Sequence, residues 1–231
     1  MEVILDKVTQ NFPEDLQLAI VIAGTPITRT DDQRHAGFVV RSDDGRLWLF
    51  DLAWHNIFRQ TEITHEYAYL VSDFLDPFEA NAVIGFLANL YNENKGRLPY
   101  SINYEDGEYF DATTGQCLKT ELGQGLTCAT FVLAVLARYG IELIDISTWP
   151  KTEENKQWQE QILKKLIDTT RPPDTIDTFL TQFSMVGSVP RVRPEEAVGA
   201  ASCFQEEALH FNVVSPAAAK VVEELNRLGL S

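Results

Sequence analysis

Residues 128–136 read Cys-Ala-Thr-Phe-Val-Leu-Ala-Val-Leu, a helical run with no polar face. Such a helix has to be enclosed by the rest of its domain, because every side of it is apolar. Gly123-Gln124-Gly125 lead into it, Arg138 and Tyr139 follow it, and Gly140 ends it. Its first-turn cysteine stands where free N–H groups and the helix dipole favour negative charge. A central helix that opens on a thiol suggests a cysteine nucleophile. The plain alternative is that Cys128 is a small buried hydrophobe, the usual fate of a cysteine.

The chain of 231 residues is long enough to bury a sizeable core. We expect one α+β domain over residues 1–231: a small antiparallel sheet packed on the central helix, with a helical insertion or lid at 150–190. A net charge of -15 argues against nucleic acid and anionic membrane surfaces, which require clustered Lys and Arg. The acidity is read as serving solubility. No run of 18 apolar residues is present, so no membrane span is expected. Residues 1–7 lack the charged start and apolar run of a secretory signal. Cys117, Cys128 and Cys203 do not form a disulfide framework or metal-spaced pairs. A cytoplasmic protein with free thiols and no metal or cofactor is expected, with export by a route independent of a signal peptide left open.

Along the chain, 16–23 is a buried strand or helix tip, ended by Gly24-Thr25-Pro26, and 28–34 is a polar loop. Strands are expected at 35–40 and 46–54 around a turn at 42–45, and a third at 67–73. Asp76-Pro77 with Glu79 starts a helix. Its core face would carry Phe78, Ala82, Val83, Phe86, Leu87, Leu90 and Tyr91, and it ends near Asn94-Lys95-Gly96. A long loop follows. Residues 141–146 read as a short strand and 153–168 as an amphipathic helix carrying Trp158, Ile162 and Leu166 on one side. Pro172-Pro173 breaks that helix, and Asp174 caps another through Phe183. Pro194 starts a helix through Cys203. Residues 209–214 read as strand or extended chain, and Ser215-Pro216 as the cap of a terminal helix ending before Gly229.

The hairpin register can be estimated. A type I turn with Gly45 in the left-handed position sets Ser42 opposite Arg46 and His35 opposite Ala53. Asp51 and His55 then become diagonal neighbours of His35 on one face. A slip of one residue would send both to the other face.

A cysteine hydrolase needs a thiolate, an imidazole to activate it, and a polar residue to orient that imidazole. His35, then Asp51 or His55, then Cys128 supply the set in chain order. The pattern Arg34-His35-Ala36-Gly37-Phe38-Val39-Val40, a hairpin, a helix, Gly96-Arg97-Leu98-Pro99-Tyr100-Ser101, then Leu126-Thr127-Cys128-Ala129-Thr130 resembles the circularly permuted NlpC/P60 enzymes. These are papain-like proteins related to the YiiX-type and lecithin:retinol acyltransferase-type groups. The match spans residues 20–146. The resemblance implies Cys128 as nucleophile and His35 as base. Asp51 is the better orienter on charge, while His55 resembles the second His of the acyltransferases. Ala129 departs from the Ser or Glu usual after the nucleophile. Residues 193–204 also resemble a Pro-started helix of some members.

Tyr100 is expected to line the site, and Gln116 or Gln124 to donate to an oxyanion beside the Cys128 amide. The substrate would be an amide or ester: a peptide, a peptidoglycan-like stem or a lipid acyl group. Three competitors stand beside this reading. Cys203 and His210 form a weaker thiol–imidazole pair, without a glycine loop or buried helix. His35, Asp51 and His55 as metal ligands lack a recognised spacing. A catalytically inactive papain-like fold would serve as a binding or regulatory module.

Overall fold

β-Branched and aromatic residues on both sides of the Ser42–Gly45 turn build the centre of an antiparallel sheet. The computed structural model describes residues 3–24, 34–63, 66–71, 74–105, 107–171 and 176–230. Thr25-Pro26, most of the expected loop at 28–34, His65, Asp73, Pro172-Pro173 and the Asp174 cap lie outside the described residues. In chain order the elements are β1 (Leu5–Lys7), α1 (Val8–Asn11), β2 (Leu18–Ala23), β3 (His35–Arg41), β4 (Leu47–Trp54), β5 (Ile57–Glu62) and β6 (Ala68–Leu70). Then come α2 (Pro77–Glu93), α3 (Cys128–Ala137), α4 (Glu153–Thr169), α5 (Asp177–Gln182), α6 (Pro194–Cys203) and α7 (Phe211–Leu228). The fold is mixed α+β. Its six strands lie in the order β1-β6-β2-β3-β4-β5, every neighbouring pair antiparallel.

Strand alternation gives the sheet two apolar faces. One, with Ile20, Ile22, Phe38, Phe50 and Leu52, packs under the helices. The other carries Val21, Val39, Leu49 and Tyr69, covered by Val8 and Phe12. The central helix α3 is enclosed as its sequence requires: Ala129 through Leu136 are all buried. Phe131 anchors it to the sheet, its ring centroid 5.1 Å from Phe58 and 6.1 Å from Phe38. Truncating so buried an aromatic costs ~3–5 kcal/mol. A third cluster joins Ile162, Leu163 and Leu166 of α4 and Phe179 of α5 to Tyr100 and Ile102. The expected insertion is therefore packed onto the long loop that precedes α3.

The hairpin register agrees with the estimate: Arg41 pairs with Leu47 and Phe38 with Phe50, and the Ser42 amide donates to the Arg46 carbonyl. The Asp76 helix start is also seen, with a full capping box to Glu79. Other expectations need correction. β1 and β5 were not anticipated, and the sheet is larger than expected. Phe78 is 82% exposed instead of facing the core: it lies in the first turn of α2, and the buried side of that helix begins only at Val83. Residues 141–146 make only one parallel bridge, Ile144 to Leu209, before a 3-10 turn at Ile146–Thr148. Residues 211–214 are helical: α7 starts at Phe211, and Pro216 lies inside it instead of beginning it. Among the described residues no helix is long and apolar enough to cross a membrane.

Candidate active site

Thr127 caps α3. Its hydroxyl accepts from the Thr130 amide at 3.2 Å, and the Thr130 hydroxyl accepts from the Thr127 amide at 2.7 Å. A reciprocal cap of this kind is worth ~1 kcal/mol and fixes where the helix begins. Cys128 is thereby held at the first helical position, its amide among those with no acceptor inside the helix. The glycine-punctuated approach has a steric cause. Gly125 has φ +145, and a Cβ there would come within 2.4 Å of the Pro99 carbonyl oxygen. Without that side chain, Leu126 forms a parallel bridge to Tyr100 and brings Tyr100 to the mouth of α3.

His35 opens β3, and Asp51 lies on β4. Extending the observed register places His35 opposite Ala53, with Asp51 on its diagonal. His35 Nε2 is hydrogen-bonded to Asp51 Oδ2. Gly37 makes this approach possible: a Cβ at 37 would meet the Phe50 carbonyl oxygen at 2.7 Å and Asp51 Cβ at 2.9 Å. With Nε2 committed to Asp51, Nδ1 is the nitrogen left for Cys128, which lines the same cavity and is coupled to the imidazole by charge. The Ala36 backbone amide also favours charge on that sulfur.

The electrostatics follow from these contacts. Burial would raise the Cys128 thiol, but the His35 charge and the Ala36 amide together hold it below its ordinary value. Burial would likewise discharge His35, yet the Cys128 sulfur and the Asp51 carboxylate outweigh it and raise the imidazole to about 10. Both directions describe a thiolate–imidazolium pair. Asp51 is fully buried. Its burial is offset by hydrogen bonds from His35 and Arg59, which keep it ionised. Arg59 Nε donates to Asp51 Oδ1 at 2.9 Å, and Arg59 Nη2 donates to Oδ2. Such a bidentate pair suits a carboxylate that has lost its water. The other two thiols behave differently: burial raises both Cys117 and Cys203.

The structure brings together Cys128, His35 and Asp51, and it does not bring His55 to them. Asn56 takes φ 54 in the tight turn between β4 and β5, and the β4–β5 pairing is irregular between Leu52 and Trp54. The His55 ring turns instead to the loop, where Nδ1 accepts from the Tyr100 amide at 3.1 Å and the ring packs edge-on to Phe179. His55 thus positions Tyr100, which does line the cavity beside Cys128. Gln124 faces away, its side-chain oxygen accepting from the Glu121 amide at 3.2 Å. Gln116 is exposed. Cys203 lies 3.0 Å from the Gly199 carbonyl oxygen, while His210 lies 3.7 Å from Asp145, so each is engaged elsewhere.

Arg59 was not anticipated, because β5 was not. A two-residue turn at His55-Asn56 with Asn in the left-handed region was the available signal. Arg34, Trp54, Trp158, Ile162 and Arg191 also line the cavity, whose volume is about 150 Å³. α4 supplies one wall through Trp158 and Ile162. A larger groove of about 740 Å³ lies along the far end of α3, between Tyr104, Leu133, Arg138 and Ile144, and holds no thiol or imidazole. Among the described residues no group of three or more His, Cys, Asp or Glu could hold a metal ion.

Comparison of the chain with known protein families, with curated proteins and with solved structures gives no significant match.

Proposed function

We propose that the protein is a cysteine hydrolase of the permuted papain-like, NlpC/P60 kind, acting on an amide or ester by way of a thioester. The observation that carries this reading is the chain of contacts from Cys128 through His35 to Asp51, at the first turn of a buried helix and the edge of a cavity. The Cys128 thiolate attacks the carbonyl carbon. The oxyanion that develops faces the first-turn amide of α3, a fixed donor needing no reorganisation. As the tetrahedral intermediate collapses, the bond to the leaving nitrogen or oxygen breaks and His35 gives that atom its proton. The resulting neutral imidazole takes a proton from water, or from another acceptor, as it attacks the thioester. The acid is released, and the thiolate–imidazolium pair is restored. Asp51, held by Arg59, keeps the ring oriented through both half-reactions.

The substrate class is a peptide, a peptidoglycan-like stem or a lipid acyl group. We place the reaction in the cytoplasm, where the three free thiols suit a reducing compartment. The test is labelling with iodoacetamide, mapped by mass spectrometry on wild type and His35→Ala. Selective labelling of Cys128 in wild type, lost in the variant, supports the proposal. Equal labelling of Cys117, Cys128 and Cys203 in both proteins contradicts it.

A further inference from the structure

Four arginines lie in or beside the cavity, and three are neutralised. Arg34 pairs with Glu195 at 3.1 Å, Arg193 with Glu154 at 2.7 Å, and Arg59 with Asp51. Arg191 is different. Its guanidinium lies over the Trp158 ring, 3.9 Å from the centroid, and forms no ion pair or hydrogen bond among the described residues. Stacking fixes its plane and leaves its N–H edge for another group. The nearby acids are occupied: Glu195 by Arg34, and Glu196 by the Trp149 indole and the Arg193 amide. An unpaired arginine in a chain of net charge -15 calls for a reason.

Two further donors in the same lining lack acceptors. Trp158 Nε1 and Arg34 Nε are both buried with no hydrogen-bond partner among the described residues. Neither atom has accessible surface, so they make the wall donor-rich without themselves reaching a ligand. Arg191 is only partly buried, and its free edge is a donor, so the partner it can take is an acceptor. Burial, with Arg193 nearby, lowers the Arg191 guanidinium to about 10. An arriving anion would relieve that cost. The cavity is well below the size that takes a drug-sized ligand, which fits a short acidic group and not a long acyl chain.

We propose that Arg191 binds a carboxylate of the substrate beside the acyl carbon that Cys128 attacks. This rests on the hydrolase reading and narrows its substrate class to acidic acyl groups.

The experiment compares two alkylating agents of nearly equal size. Iodoacetate carries a carboxylate next to the carbon the thiolate attacks, and iodoacetamide carries a neutral amide there. The quantity read is the ratio of their rates at Cys128. Arg191→Gln should lower this ratio by at least about tenfold, the loss expected for one charge-assisted hydrogen bond. Arg193→Gln, which removes an ion-paired charge two residues on, should change it by less than about twofold. An unchanged ratio in Arg191→Gln, with Cys128 still outpacing Cys117 and Cys203, overturns the carboxylate site and leaves the hydrolase reading standing. Equal rates at all three cysteines in wild type overturn both. Should Arg191→Gln fail to fold, Arg191→Lys decides. A ratio between those of wild type and free cysteine supports the site, because the charge is kept while the stacked fork is lost, and a ratio equal to that of free cysteine overturns it.

Discussion

The imidazole of His35 and the carboxylate of Asp51 meet on the diagonal of the β3–β4 hairpin, Nε2 to Oδ2, with Arg59 gripping the carboxylate from the next strand. That carboxylate is fully buried, so its charge persists only through these two partners. Asp51→Asn keeps the shape and removes the charge. It should slow Cys128 alkylation at neutral pH by up to about thirtyfold, the drop from a full thiolate to the fraction a free thiol holds at pH 7, since the ring loses both its orientation and the partner that stabilises the imidazolium. Alkylation rates across the three thiols measure this directly. Cys117 and Cys203 should be unaffected.

Gly37→Ala tests whether the His-x-Gly spacing has a steric basis. The added methyl would meet a backbone carbonyl at 2.7 Å and Asp51 Cβ at 2.9 Å, neither of which is the end of a flexible chain. A loss of ~1–3 kcal/mol in urea unfolding is expected, together with slower Cys128 labelling as β3 and β4 are forced apart. Gly85→Ala, where nothing lies within 4 Å of the new methyl, serves as the control. It should not lower stability.

Stability should depend on pH in a way set by the two ionised partners. The His35 imidazole is raised from 6.5 to about 10. Its contribution is therefore complete below 6.5 and is lost as pH rises through about 10. The Cys128 thiol is lowered from 9.0, so its contribution is complete above 9.0 and is lost as pH falls through the depressed value. The two slopes cancel where pH lies above both 6.5 and the depressed Cys128 value and below 9.0, because folded and unfolded chains then hold the same number of these protons. Urea unfolding of wild type against Cys128→Ser should show a constant difference across that window, shrinking above pH 9. A difference that rises steadily through the window would contradict the pair.

How far the residues alone led is clearest at the hairpin. Ser42, Asp44 and Gly45 define a tight turn, and a tight turn fixes register. The meeting of His35 with Asp51 was therefore legible in the sequence. So was the enclosure of α3, since the six apolar residues in a row from Phe131 to Leu136 leave the helix no polar face. His55 was misread because diagonal register assumes a regular strand, and the irregularity at Leu52/Trp54 turns its ring to the Tyr100 amide. β5 was missed because Ile57–Glu62 buries only Phe58, and an edge strand with polar residues carries little periodic signal. Arg59 disappeared with it. Trp158 was legible as part of the apolar side of its helix, but Arg191 lies far along the chain in a segment without periodic signal. Their meeting depends on α4 packing against Tyr100 and Ile102, a tertiary fact with no local signature.

The central claim is that residues 35 and 128 share one proton as an ion pair, and the pH profile of Cys128 alkylation tests it most directly. The rate of iodoacetamide labelling, measured from pH 4 to 11 in wild type and His35→Ala, should in wild type reach a first plateau at lower pH than in the variant. It should change again near pH 10 as the imidazolium is lost, and in the variant it should rise only as a free thiol ionises, near pH 8.5. One titration near pH 8.5 in both proteins would contradict the account.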